Sequence, residues 1–193
     1  MNCLQSEKAA QEVAGAASDE MHRIGEEARS LARDLISYRT GSVIPPPSRS
    51  AVILRRLTDG LEDSHSALLS NMCNRLNVLN GTARAKFVQV ADEVFRDGIN
   101  WGRIVAVYAF GGKLAEYCMR NGLEGDVAEI NLWLGNYISS LSAWIQAQGG
   151  WASFEKTFGD ALEQREKIWW KKICLAAVGF GAIATLIYQQ STT

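Results

Sequence analysis

Between Asn100 and Met119 the chain carries Ile104, Val105, Val107, Tyr108, Phe110, Leu114 and Ala115, leaving almost no polar face before the last turn. A helix that is apolar around its whole circumference is either buried or inserted in a membrane. At roughly 1.5 Å per residue such a helix is long enough to cross a small domain. The stretch therefore predicts a central helix with other elements wrapped around it.

The flanking segments supply the wrapping. From Asp19 to about Tyr38, Ile24, Ala28, Leu31, Leu35 and Tyr38 recur at spacings of three and four, which places them on one helical face. Gly41 and Pro45-Pro46-Pro47 end that helix, and a proline-rich linker spans 40–48. A second amphipathic helix follows from Ser50 to Ser64, with Leu54, Leu57 and Leu61 on its stripe. Shorter helical pieces fit Ala67 to Leu79, and Thr82 to Phe95 places Phe87, Val90, Val94 and Phe95 on a helical period before Asp97-Gly98 closes it. Beyond Asn121-Gly122 a long helix is expected from Asp126 to Ala143, with Val127, Ile130, Leu134, Ile138 and Leu141 aligned. No segment alternates as a strand does, so the predicted class is all-α. Residues 1–18 are small and polar without an apolar stripe and read as a flexible tail, so the helical domain is expected over 19–160.

Charge excludes one class of partner. The 20 Lys and Arg balance 21 Asp and Glu, so no electrostatic footprint for nucleic acid exists. Cys3, Cys73, Cys118 and Cys174 show no CxxC spacing and read as reduced thiols. His22 and His65 fall on different predicted helices, and Gly111-Gly112 and Gly149-Gly150 lack the context of a phosphate loop. Neither catalysis nor a metal or cofactor is implied.

From Ile173 to Tyr188 the sequence is uncharged, and Trp169, Trp170, Lys171 and Lys172 precede it within a juxtamembrane segment, 161–172. Tryptophan favours the membrane interface and lysine the cytosolic side, so 173–188 reads as a C-terminal membrane anchor. Sixteen residues of helix reach only about 24 Å, short of the roughly 30 Å hydrocarbon core, which calls for snorkelling lysines or a thin membrane. The competing reading is a last core helix, or one folded into a groove on its own domain.

The start of the central helix poses a question of charge. Asn100 is a favourable N-cap, but Arg103 sets a cation against the positive end of the helix dipole. An acidic partner docked across the helix start would reward it, with Gly102 leaving room for close approach. A solvated or internally paired arginine is the alternative.

The run Val94-Phe95-Arg96-Asp97-Gly98-Ile99-Asn100-Trp101-Gly102-Arg103-Ile104-Val105-Ala106, followed by Phe110-Gly111-Gly112, resembles the first homology motif of the Bcl-2 family. Trp144-Ile145-Gln146 with Gly149-Gly150-Trp151, Phe154 and Phe158 resembles the second motif, and Asp34-Leu35-Ile36-Ser37-Tyr38-Arg39 the fourth. Leu54, Leu57, Asp59 and Leu61 resemble the third, or BH3, motif, with Thr58 where a glycine or alanine is usual, Gly60 where an acidic residue is usual, and Ser50 at the first apolar anchor. The similarity spans about residues 20–190.

The resemblance implies a Bcl-2-like helical bundle whose hydrophobic groove receives a BH3 helix. Carried over by position, the groove residues are Phe87, Val90, Glu93, Val94, Asn100, Gly102, Arg103, Val105, Ala106 and Phe110, with Arg103 pairing to the ligand's aspartate. It implies a regulator of apoptosis whose partners are BH3-containing proteins, both Bak/Bax-like and BH3-only, with homo- or hetero-dimers among the assemblies admitted. It further implies tail anchoring in the mitochondrial outer membrane facing the cytosol, with the endoplasmic reticulum membrane or cytosol as other locations. The motifs stand nearer to the pro-survival branch, and a pore-forming Bak/Bax-like member is the alternative.

Overall fold

The computed structural model describes residues 3–75 and 82–163, and among these it contains seven helices and no strand. Helix α1 spans Cys3–Arg39, α2 Arg49–Arg75, α3 Ala83–Phe95 and α4 Trp101–Arg120. Helices α5, Glu124–Ser139, α6, Ser142–Ala147, and α7, Gly150–Glu163, complete the bundle. Helix α4 is the axis: every residue from Ile104 to Ala115 is buried, and α1, α2, α3 and α5 all pack on it. The reason is its composition, since no orientation of so apolar a helix leaves a face for water.

The stripe of α1 packs as its spacing requires, with Ile24, Ala28, Leu31 and Leu35 at most 3% exposed. Gly41, at φ +94°, turns the chain out of α1 in a conformation that side chains with a Cβ rarely adopt. Small residues let α1 and α5 approach closely: a Cβ on Gly135 would sit 3.1 Å from the Arg29 Cα. Across the same bundle the buried Tyr108 hydroxyl donates to the Ala28 carbonyl at 2.9 Å, tying α4 to α1.

Three boundaries differ from expectation. Helix α1 begins at Cys3, so the stretch read as a flexible tail over 1–18 is helical from residue 3. Alanines 9, 10, 14, 16 and 17 favour helix with no apolar stripe to announce it. Helix α2 runs through both segments assigned separately, with a kink at His65, whose φ of −135° and ψ of 22° are not helical. The helix expected from Asp126 to Ala143 stops at Ser139 and restarts at Ser142. Serine hydroxyls compete with the backbone there: Ser140 Oγ donates to Tyr137 O at 2.6 Å and Ser142 Oγ to Ser139 O at 2.5 Å.

The anchor residues Trp169, Trp170, Lys171, Lys172, Ile173 and Tyr188 lie outside the described residues. Among the described residues no helix is long and apolar enough to cross a membrane.

Candidate functional site: the α3–α4 corner

Helix α4 starts where Gly98, at φ +105°, turns the chain and Asn100 extends at φ −151°. The Asn100 side chain accepts the Arg103 backbone N–H at 2.8 Å, the cap its position predicts. That bond fixes the first turn and with it the direction of the Arg103 side chain. Its Nη1 donates to Gly98 O at 2.6 Å, its Nη2 lies 3.8 Å from Asp97 Oδ2, and its buried Nε has no partner among the described residues. The side chain is 15% exposed whereas Asp97 is 67% exposed, so the carboxylate is weakly placed to neutralise the guanidinium. Both readings of Arg103 keep something: it is partly paired internally, and it keeps donor capacity.

The apolar residues assigned to this corner come together. Phe87, Val90 and Val94 on α3 and Val105, Ala106 and Phe110 on α4 are all buried, none more than 4% exposed. Phe87 stacks on Phe110 with ring centroids 6.2 Å apart. Glu93 pairs with Arg96 at 2.6 Å, and Gly102 is buried in the first turn of α4. Tyr137 of α5, which sequence reasoning missed, closes the corner. Its ring meets Phe87 edge-on at 5.9 Å and stacks near Phe95 at 6.0 Å, while its hydroxyl donates to Asp92 at 2.6 Å. Burial, then the Asp92 hydrogen bond, push this phenol well above its ordinary value.

The two tryptophan-bearing motifs also meet. Trp101 lies among Trp144 at 5.2 Å, Trp151 at 5.7 Å and Phe154 at 5.4 Å, and Trp151 Nε1 donates to Ile24 O at 3.1 Å. Helices α6 and α7 are thus clamped against the start of α4 by aromatic faces and edges.

The BH3-like leucines face inward, while the Asp59 side chain is 38% exposed. Leu54, Leu57 and Leu61 are 0–1% exposed, and Asp59 accepts from the Tyr38 hydroxyl at 2.9 Å. Thr58 is buried, its hydroxyl returned to Arg55 O at 2.9 Å, and Arg39 donates to Thr58 O at 3.2 Å. A charge network backs this face: Arg39 lies 2.7 Å from Glu62 and 3.4 Å from Glu116, and Lys113 bonds both carboxylates. Lys113 is the sole cation inside the buried run of α4, and a lysine in such a helix must find carboxylates; that signal was present in the sequence. Burial alone would depress its ammonium, but the Glu62 and Glu116 partners win and hold it above the ordinary value.

Comparison with known proteins places this arrangement. The family described as "Apoptosis regulator proteins, Bcl-2 family" matches residues 54–151. The Xenopus laevis protein "Apoptosis regulator R1" is 34% identical over 173 residues, covering 82% of this chain and 76% of its own. The zebrafish pro-survival protein NRZ, solved in complex with the Bad BH3, superposes with a TM-score of 0.66 at 26% identity, over 72% of this chain and 97% of that one. Chicken BOK gives a TM-score of 0.60 at 28% identity, over 71% and 98%. An all-α bundle around a buried axial helix, with these likenesses, defines an apoptosis regulator. The chain belongs to the Bcl-2 family.

Proposed function

We propose that the chain is a pro-survival regulator that captures BH3 helices, from Bak/Bax-like and BH3-only proteins alike, between α3 and the start of α4. Arg103 carries this reading. Its backbone is fixed by the cap at Asn100, and its guanidinium, bonded to Gly98 O and largely shielded from water, has its best internal carboxylate 3.8 Å away on an exposed turn. A ligand carboxylate arriving there would gain a charge-assisted bond of fork geometry. Phe87, Val90, Val94, Val105, Ala106 and Phe110 supply the apolar set that helix-in-groove recognition needs beside a few orienting polar contacts. These side chains are covered in this structure, so capture requires α3 to lift from α4 and α5.

Two observations support a receptor that restrains death. Zebrafish NRZ, which shares the fold, is a pro-survival protein solved with a BH3 ligand. The leucines of the chain's own BH3-like stretch, Leu54, Leu57 and Leu61, are turned into its core, as suits a receptor more than a donor. The test is dye release from vesicles: the full chain leaves vesicles sealed with or without a BH3 peptide, and without the peptide it blocks release by a Bak/Bax-like protein. Release by the chain itself would assign it to the pore-forming branch. The uncharged run 173–188 supports tail anchoring in the mitochondrial outer membrane with the helical domain facing the cytosol. Carbonate should leave the full chain in the membrane pellet and extract a chain lacking 173–188; equal extraction of both would remove the anchor.

A further inference from the structure

The connection between α1 and α2 presents more apolar surface than joining two helices requires. Five large hydrophobic residues are exposed among the described residues, and two of them, Val43 at 101% and Ile44 at 58%, are adjacent in this linker. Pro45-Pro46-Pro47 follow at once. Ile44, Pro45 and Pro46 each precede a proline and are thereby biased to extended backbone, so 44–47 favours the polyproline II conformation.

Both ends of this ridge are pinned. Ser42 N–H donates to Ser37 O at 2.9 Å, and Arg55 donates to the Ile44 carbonyl at 3.0 Å while gripping Asp34 through two bonds of 2.9 and 2.5 Å. At the far end Ser48 Oγ accepts the Ala51 N–H at 3.2 Å and starts α2. Between ridge and α1 lies an open cavity of about 210 Å³ bordered by Ile44, Pro45, Pro47, Ser30, Arg33, Ser37 and Asp34, whose carboxylate is taken up by Arg55. Arg33 is exposed. A flat ring entering this space would lie on proline faces with a guanidinium at its side, the contacts that aromatic residues favour.

We propose that the Val43–Pro47 ridge is a docking peptide for a partner protein whose aromatic-lined groove reads polyproline II segments. Such grooves gain affinity from a segment already extended, because little ordering entropy is lost on binding. Val43 and Ile44 add the apolar contacts, and the cavity beside α1 admits one aromatic side chain of the partner. The site is separate from the α3–α4 corner, so its fate does not depend on that reading.

The test is titration of the isotopically labelled full chain, in detergent, with an SH3 domain, a WW domain and an EVH1 domain, read by NMR. At least one module should bind with a Kd below about 1 mM, shifting resonances of residues 43–48 and of Ser30, Arg33 and Ser37. The Val43→Ser/Ile44→Ser variant should bind that module at least about fivefold more weakly, and Arg33→Ala should weaken it too. All three side chains are solvent-facing, so the melting temperature should not move, which separates lost docking from lost folding. Absence of binding by all three modules, or equal binding by the double variant, would overturn the proposal.

Discussion

Ser50 shows how much one side chain can be asked to do. Its buried hydroxyl lies 3.0 Å from Glu27 Oε1 on α1 and 2.8 Å from Glu155 Oε1 on α7, yet it has one proton to donate. Burial raises the Glu27 carboxyl, the Ser50 hydrogen bond lowers it, and Glu155 raises it again, with a net upward shift. The folded chain therefore keeps this proton to higher pH than the unfolded chain. The stability it contributes is complete below the ordinary glutamate pKa and is lost as pH rises through the folded value. Glu27→Gln should thus raise the melting temperature near about pH 7, and the gain should shrink near about pH 4. A gain that grows on acidification would contradict this sign. Lys113 has the opposite role, since it stands between two carboxylates with its side chain 7% exposed. Lys113→Met should cost about 2 kcal/mol or more in urea unfolding, because Glu62 and Glu116 would face each other with weaker compensation.

At the scale of elements, α3 is a lightly held piece. It packs on α4 and α5 alone among its substantial helix contacts, and Tyr137 with its Asp92 bond latches it. If the covered form must open to receive a ligand, weakening the latch raises the population able to bind. Tyr137→Phe should tighten BH3-peptide affinity about two- to fivefold, the range set by one hydrogen bond of about 0.5–1 kcal/mol. An unchanged or weaker affinity, measured by fluorescence polarisation, would count against lifting of α3. Between α1 and α5 the packing is tighter. Gly135→Val should destabilise by about 1–3 kcal/mol, since the added atoms meet the Arg29 backbone and not a yielding side-chain tip. Legibility follows the same physics. The stripe Ile24, Ala28, Leu31 and Leu35 and the Asn100 cap are local patterns and were readable. The break at Ser140 was not, because Leu141 keeps the apolar period that the serine hydroxyls interrupt.

For the whole molecule, an all-α bundle around 104–115 was readable because that stretch had to be buried in something. Which helices meet was not. The cage of Trp144, Trp151 and Phe154 around Trp101 joins residues more than forty positions apart, and no periodicity along one segment encodes such a contact. Lys113 and its carboxylates illustrate the middle case: the need for a partner was visible, the partner on α2 was not. Tyr137 gave no sign of its place at the corner, since its sequence position reads as one more half-buried ring. The proposed function gathers these parts into a receptor whose guanidinium waits at the end of a covered apolar surface. The direct measurement is calorimetric titration of a BH3 peptide into the full chain and into Arg103→Ala. The parent chain should bind, and the variant should bind about thirtyfold more weakly, near 2 kcal/mol, with its fold intact by circular dichroism. Superimposable isotherms for the two proteins would contradict the account.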